Sequence, residues 1–343
     1  MRLIFSLVLL FLATSYVQAG EVKLLREGEN VTVTIDGKLF TRYYANSVTR
    51  PVLWPLVGPE GIEMTRSFPM KKDVEGERTD HPHHRSLWFA HGDVNRIDFW
   101  TEPSDKNPKK RGFGKVVHKE YLKIQNGEDP HLLTKNEWVV SKNNVLLTDF
   151  RRVSFGADEK RRWIDFDISL FAEGDKPVKF GDTKEGCFGI RVASWLAVDA
   201  KSKGQIVNSV GKENKDAWGQ ASSWVDYHGE RDGKKLGIAV LNHPGSFRFP
   251  TYWHVRTYGL FAANVFGLHN FKNSEDEDGS HELKPGESLM FCYRVLLHSG
   301  DEQKGRIPES FVEYAKLDKP PLTREQIMLE VQEEKEAAAI AAA

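Results

Sequence analysis

Four of the chain's 12 histidines fall within eleven residues, in Asp80-His81-Pro82-His83-His84-Arg85-Ser86-Leu87-Trp88-Phe89-Ala90-His91. Neutral imidazole serves as a general acid or base and as a metal ligand, so potential chemistry is densest here. Pro82 biases His81 toward an extended conformation. In an extended segment His81 and His83 share a face while His84 points the other way, so at most two of the three converge locally. His83 and His84 are the candidate acids; the alternative is a hydrogen-bonded network that shapes a loop. No spaced carboxylate or HExxH-like pattern completes a ligand set, so no metal is assigned.

The second constellation is Gly181-Asp182-Thr183-Lys184-Glu185-Gly186. Glycines at both ends let the backbone turn sharply and present Asp182 and Glu185 at one lip. Two carboxylates near a lysine can form an acid/base set, with Glu185 as base, although a solvated turn has the same composition. The third is aromatic and polar at once: Trp224-Val225-Asp226-Tyr227-His228-Gly229 and Pro250-Thr251-Tyr252-Trp253-His254-Val255-Arg256-Thr257-Tyr258-Gly259. In a strand, Trp253, Val255 and Thr257 share one face, and Tyr252, His254, Arg256 and Tyr258 the other. The second face has the composition of a carbohydrate cleft, in which rings stack on sugar C–H surfaces and Arg, Asp or His bind hydroxyls or carboxylates. The alternative is a sandwich core with polar tips at its edge. On the carbohydrate reading Trp224, Tyr252 and Trp253 stack the ring, Asp226 and His254 bind it, and Arg85, Arg191 or Arg256 orient an anionic substituent. The period-2 face favours His254, Tyr252 and Arg256 over Trp253.

These residues need strands to hold them, and two-residue alternation dominates the chain. Val31, Val33 and Ile35 alternate with threonines up to Asp36-Gly37, which reads as a hairpin turn. Ile164, Phe166, Ile168 and Leu170 alternate with Asp165, Asp167 and Ser169, predicting one buried and one wet face. The fold class is all-β: a single-domain β-sandwich over residues 20–307, with no internal repeat. From 308 to 343 the sequence turns helix-friendly. Thr323 and Gln326 are spaced like a capping box, and the final alanines carry no packing face.

Of the 343 residues, 28% are charged and 40% hydrophobic, as in a soluble globular protein. Residues 1–19 read as a secretory signal: Arg2, an apolar run from Leu3 to Ala13, then Val17-Gln18-Ala19. The net charge of −1 gives no electrostatic footprint for nucleic acid, and no membrane association is expected after signal cleavage. Two cysteines, Cys187 and Cys292, make one disulfide possible but no disulfide framework. No GxGxxG, Walker loop, GxSxG or CxxC motif occurs, and no cofactor is expected.

The stretches Asp80–Trp100, Gly181–Ala193, Trp224–Gly229, Pro250–Leu268 and Leu283–Gly300 resemble a secreted bacterial family of unknown function that carries the label methane oxygenase PmoA. The resemblance runs from about Tyr43 to Gly300, with Arg96 where it leads one to expect glycine. A membrane monooxygenase subunit needs several transmembrane helices, so the label is no guide to chemistry. The resemblance implies a supersandwich similar to galactose-mutarotase-like proteins and a context of polysaccharide use. The leading expectation is a secreted or periplasmic carbohydrate-active enzyme, a lyase, hydrolase or epimerase acting on a sugar or uronic acid. The rivals are a noncatalytic glycan-binding protein and a metal-dependent oxidoreductase built on His81, His83 and His91.

Overall fold

The computed structural model describes residues 20–103, 105, 112–202, 204–320 and 323–342. The expected signal, residues 1–19, lies outside them. Two eight-stranded antiparallel sheets face each other. The first runs, edge to edge, through Val22–Glu27, Asn30–Ile35, Lys38–Ser47, Arg50–Leu53, Leu87–His91, Gly186–Arg191, Leu260–Asn264 and Tyr252–Val255. The second runs through Gln205–Asn208, Trp224–Arg231, Lys234–Asn242, Ser288–Ser299, Arg161–Ala172, Asn144–Ala157, His131–Ser141 and Lys115–Gln125.

Period 2 dictates this layering. Phe89, Phe188 and Phe261 of the first sheet point inward and meet Phe291, Phe166, Tyr293 and Tyr227 of the second, with ring centroids 4.6 to 5.5 Å apart. The Asp36-Gly37 turn forms as expected: both residues have positive φ (50° and 73°), joining Ile35 to its partner Lys38. Arg96 also sits at positive φ (66°), in the turn that pairs Val94 with Ile97, which is where glycine would be conformationally easiest.

The strand Arg161–Ala172 departs from expectation, because Ile164 to Leu170 are all buried and neither face is wet. The covering segment supplies the reason. Lys319 reaches Asp167 at 2.7 Å and Asp165 at 3.6 Å, and Arg294 forks onto Asp165 at 2.6 and 2.8 Å. The helix Ile307–Tyr314 covers the same outer face, packing Ile307 and Tyr314 on Trp224, Ala239, Leu241 and Leu296. The cysteines are free and buried, Cys187 in the first sheet and Cys292 in the second.

The helix Arg324–Ala342 opens with the expected box: Thr323 N–H donates to Gln326 Oε1, and Gln326 N–H donates to Thr323 Oγ1. Ile327 and Val331 dock on Leu133 and Phe150, and Glu330 takes Arg152 at 2.6 Å. Removing residues 332 to 343 should therefore lower the melting temperature by less than about 4 °C. Ile327→Asp, which buries a charge in the docking cluster, should cost more than about 2 kcal/mol in denaturant unfolding. Equal effects from the two changes would show that docking does not reside at Ile327.

Candidate functional site

The histidine, DTKEG and TYWHVR segments lie on or beside the outward face of four adjacent strands of the first sheet: Leu87–His91, Gly186–Arg191, Leu260–Asn264 and Tyr252–Val255. Gly189 makes room at the centre. A Cβ there would fall 2.6 Å from the Trp88 indole and 2.9 Å from Trp100, so both rings come this close to the strand only because this residue is glycine. Upon them stands a column of near-parallel rings. Trp88 stacks on His84 at 5.4 Å, His84 on His81 at 4.8 Å, and His81 on Tyr258 at 5.4 Å.

One carboxylate locks the column. Asp80 Oδ1 accepts from Arg66 at 2.6 Å and from Arg191 at 2.8 Å; both arginines are buried. Arg66 also donates to the carbonyls of Phe68, Arg78, Asp80 and His81, binding the whole loop to the sheet. Burial is the largest influence on Asp80 and raises its pKa, but His81, Arg191 and Arg66 outweigh it and hold the carboxyl well below its usual range. Arg191 donates to His84 Nδ1 at 3.1 Å. A guanidinium only donates, so His84 carries its proton on Nε2. Burial, reinforced by the neighbouring His83 and Arg191, pushes the His84 pKa far down. His84 is a neutral hydrogen-bond donor rather than an imidazolium acid. His83 stands 2.8 Å from Asp105 and is likewise pushed down, by burial first.

At the other end of the face, Arg256 Nε donates to His254 Nε2 at 3.1 Å, and His254 Nδ1 donates to the Lys184 carbonyl at 2.8 Å. Both ring nitrogens are thus committed, and burial takes the His254 pKa to about 4. His254 aims Arg256 rather than exchanging protons. The Arg256 guanidinium lies 5.0 Å over Trp218, and among the described residues no carboxylate is within ion-pair distance of it. Glu185 Oε2 accepts from Thr183 Oγ1, while Oε1 is 3.4 Å from Lys184 Nζ. Tyr258 stacks between His81 and Arg191, whose guanidinium lies 4.7 Å from the ring. Burial raises the Tyr258 pKa, so its phenol stays protonated. The strand ends at Val255, so a turn closed by Gly259 (φ 101°) presents Arg256 and Tyr258.

Several expected site residues do other work. Trp253 is wholly buried against Phe261, with its indole N–H on the Ser222 carbonyl, so no sugar can reach it. Trp224 packs beneath the helix Ile307–Tyr314 on the other sheet. Asp226 is buried on that sheet too, bonded to His228 and His298. Arg85 is spent in a two-pronged pair with buried Glu102 (2.6 and 2.8 Å). Asp182 Oδ2 accepts from the amides of His269 and Gly279, fastening two loops. Tyr252 stays on the outward face, stacked on Phe271. His91 bonds the Gly181 carbonyl and packs against Phe180 and Phe266, and it makes no contact with His81 or His83, so a three-histidine metal centre does not form among them. Arg66, Asp80, Tyr258 and Trp218 were not singled out as site residues. Tyr258 shares the expected period-2 face of Arg256, and Trp218 belongs by sequence to the aromatic-polar constellation through Asp216-Ala217-Trp218-Gly219; Arg66 carries no local signal.

Folding holds His84, His91 and His254 neutral, the last two with pKa values near 4 against 6.5 for free imidazole. Between those values the unfolded chain binds more protons, so stability is full above about pH 6.5 and is lost as pH falls toward 4. His228 is raised and runs the opposite way, one histidine against the eight that burial pushes down. The melting temperature should therefore drop across that window, and a flat profile would contradict the neutral assignments. Asp80→Asn leaves two buried guanidinium groups without their shared anion. It should cost at least about 2 kcal/mol in urea unfolding, discounted from a wholly buried pair because Asp80 is about a third exposed.

A GH36 α-galactosidase, AgaA of Geobacillus stearothermophilus, is 11% identical over 82% of this chain and 41% of its own, with a TM-score of 0.37. A polysaccharide lyase is 13% identical over 87% of this chain and 35% of its own, at 0.30. A protein of Escherichia coli K12 proposed to be an aldose 1-epimerase is 12% identical over 82% of this chain and 99% of its own, at 0.29. The chain spans less than half the length of the first two, and no curated protein matches it. A family model does match residues 30–312, and the chain belongs to that family, the family of unknown function DUF6807.

Proposed function

We propose that the protein is a carbohydrate-active enzyme of the acid–base type that takes an acidic sugar on the outward face of its first sheet. The observation that carries this reading is Arg256: a guanidinium aimed by His254, supported on Trp218, and without an acidic partner among the described residues. Such a fork suits the two oxygens of a uronate carboxylate. Pairing with Arg256 draws charge from that carboxylate and acidifies the adjacent C–H. Glu185, on the same face, is the base that removes this proton, and the protonated Tyr258 phenol donates to the departing oxygen or to the opposite face of the sugar. Loss of the neighbouring substituent gives an unsaturated product, and reprotonation gives an epimer. The acid is thus Tyr258 in place of His83 or His84.

A noncatalytic glycan-binding protein would use the same face. It is favoured by the surroundings of Glu185, since a carboxylate bonded to Thr183 and close to Lys184 is a weaker base.

Turnover of polyuronides, followed by ultraviolet absorbance of the unsaturated product, and epimerisation, followed by NMR, test the proposal. Glu185→Gln should lower kcat by about 10²–10⁴ without a change in melting temperature. Arg256→Gln should raise KM more than it lowers kcat. Binding of a uronate without turnover, with Glu185→Gln indistinguishable from wild type, would leave the glycan-binding reading; indifference of both binding and turnover to Arg256→Gln would remove the acidic sugar. We further propose export, on the strength of the apolar run from Leu3 to Ala13 and the small-residue exit Val17-Gln18-Ala19, and exported protein should begin at Gly20 on N-terminal sequencing.

A further inference from the structure

On the far side of the sandwich, four residues stand abreast on adjacent strands of the second sheet: Gln205, His228, Gly237 and His298. Asp226 lies two residues before His228 on the same outward face, and Glu302 comes from the turn that follows the His298 strand. The absence of a side chain at 237 opens this slot. A Cβ there would fall 2.3 Å from the His298 ring, and one on Gly305 would fall 2.2 Å from the same ring, so two glycines cradle one imidazole.

Three oxygens and nitrogens converge in the slot. His228 Nδ1 is 2.8 Å from Asp226 Oδ2 and 3.5 Å from Glu302 Oε2, and ligand atoms of the three residues lie within 4.8 Å of one another. Tetrahedral ligands at the usual zinc distances of about 2.0–2.1 Å stand roughly 3.3 Å apart, a value that the two shorter separations bracket. One Nδ1 proton can serve only one carboxylate at hydrogen-bond distance. Glu302 has no other side-chain hydrogen bond or ion pair among the described residues.

The surroundings form a second, independent observation. A metal-bound imidazole must donate from its remote nitrogen, and His228 Nε2 lies 2.9 Å from Gln205 Oε1, an acceptor. A ligating carboxylate is steadied at its remote oxygen, and Asp226 Oδ1 lies 2.8 Å from His298 Nε2. The two buried ligands, Asp226 and His228, thus each have an outer partner of the required polarity.

We propose that Asp226, His228 and Glu302 form a divalent-metal site of the zinc class, with Gln205 and His298 as its orienting partners. Glu302 is the more exposed ligand, so water completes the coordination from that side. The ion would tie the strand Trp224–Arg231 to the turn that leads into the helix Ile307–Tyr314 and the covering C-terminal segment. Its binding displaces the Nδ1 proton of His228 to solvent, so affinity rises with pH.

The test is calorimetric titration of EDTA-dialysed full-length protein with Zn²⁺ at pH 7.5, beside melting curves with and without the ion. One Zn²⁺ per chain, a raised melting temperature, at least tenfold weaker binding in Glu302→Ala and a weak response to Mg²⁺ are expected. If Glu302→Ala does not fold, Glu302→Gln keeps the size of the side chain, and its loss of the zinc-dependent melting shift is the readout. No stoichiometric Zn²⁺ in wild type, unchanged binding in both variants, or an equal response to Mg²⁺ would overturn the proposal.

Discussion

The Asp80 carboxylate is the constraint on which the candidate site depends. Two guanidinium groups, Arg66 and Arg191, are buried within one hydrogen bond of it. Burying two cations is tolerable only with a shared anion and a full set of acceptors. Asp80 supplies the anion, and the loop carbonyls satisfy Arg66. From that clamp follows the position of residues 78–84 over the sheet, and from Arg191 follows the tautomer of His84. The column from Trp88 to Tyr258 then has one arrangement, because each ring in it is held by a neighbour whose own bonds are fixed.

The same bookkeeping separates structural from reactive charge. Arg66 and Arg191 share Asp80, Arg85 shares Glu102 with Arg50, and Arg151 forks onto Asp149, which also accepts from Asn136 and Trp138. These cations complete internal pairs, and an added carboxylate would have to break one to reach them. Arg256 bonds instead to a neutral imidazole and an indole face. It keeps its charge toward the surface, so the acidic sugar of the proposed function would meet this arginine and not the more numerous ones beneath it.

Much of the architecture was legible because period 2 is a strong signal where one face is dry. The Asp36-Gly37 hairpin, the strand around Ile164 and the opposition of Trp253 to His254 all follow from it. The signal failed where polar residues are buried in pairs. Asp165 and Asp167 read as solvent-facing, yet their partners Arg294 and Lys319 lie more than a hundred residues away. The WVDYHG motif reads as part of the same cleft as TYWHVR, yet its strand belongs to the other sheet, because sequence does not say which sheet a strand joins. Arg66 was invisible because its function is to satisfy carbonyls of a loop, and carbonyls leave no trace in composition.

The two outward faces of the sandwich are therefore built on opposite principles. Over the first sheet, a loop covers the strands incompletely and leaves Tyr252, Arg256 and Tyr258 partly accessible. Over the second, the helix Ile307–Tyr314 and Lys319 close the surface, and Lys319 brings Asp165 and Asp167 a partner from the C-terminal segment. A face that is sealed by its own chain has spent its polar groups on stability. The cluster of Asp226, His228 and Glu302 lies where strand meets covering turn, so an ion there would act on the seal. The two sheets share one continuous core, in which Phe188 of the strand Gly186–Arg191 stacks on Tyr293 of the second sheet, so the strand that carries Arg191 and Gly189 is packed directly against the sheet that the C-terminal segment covers.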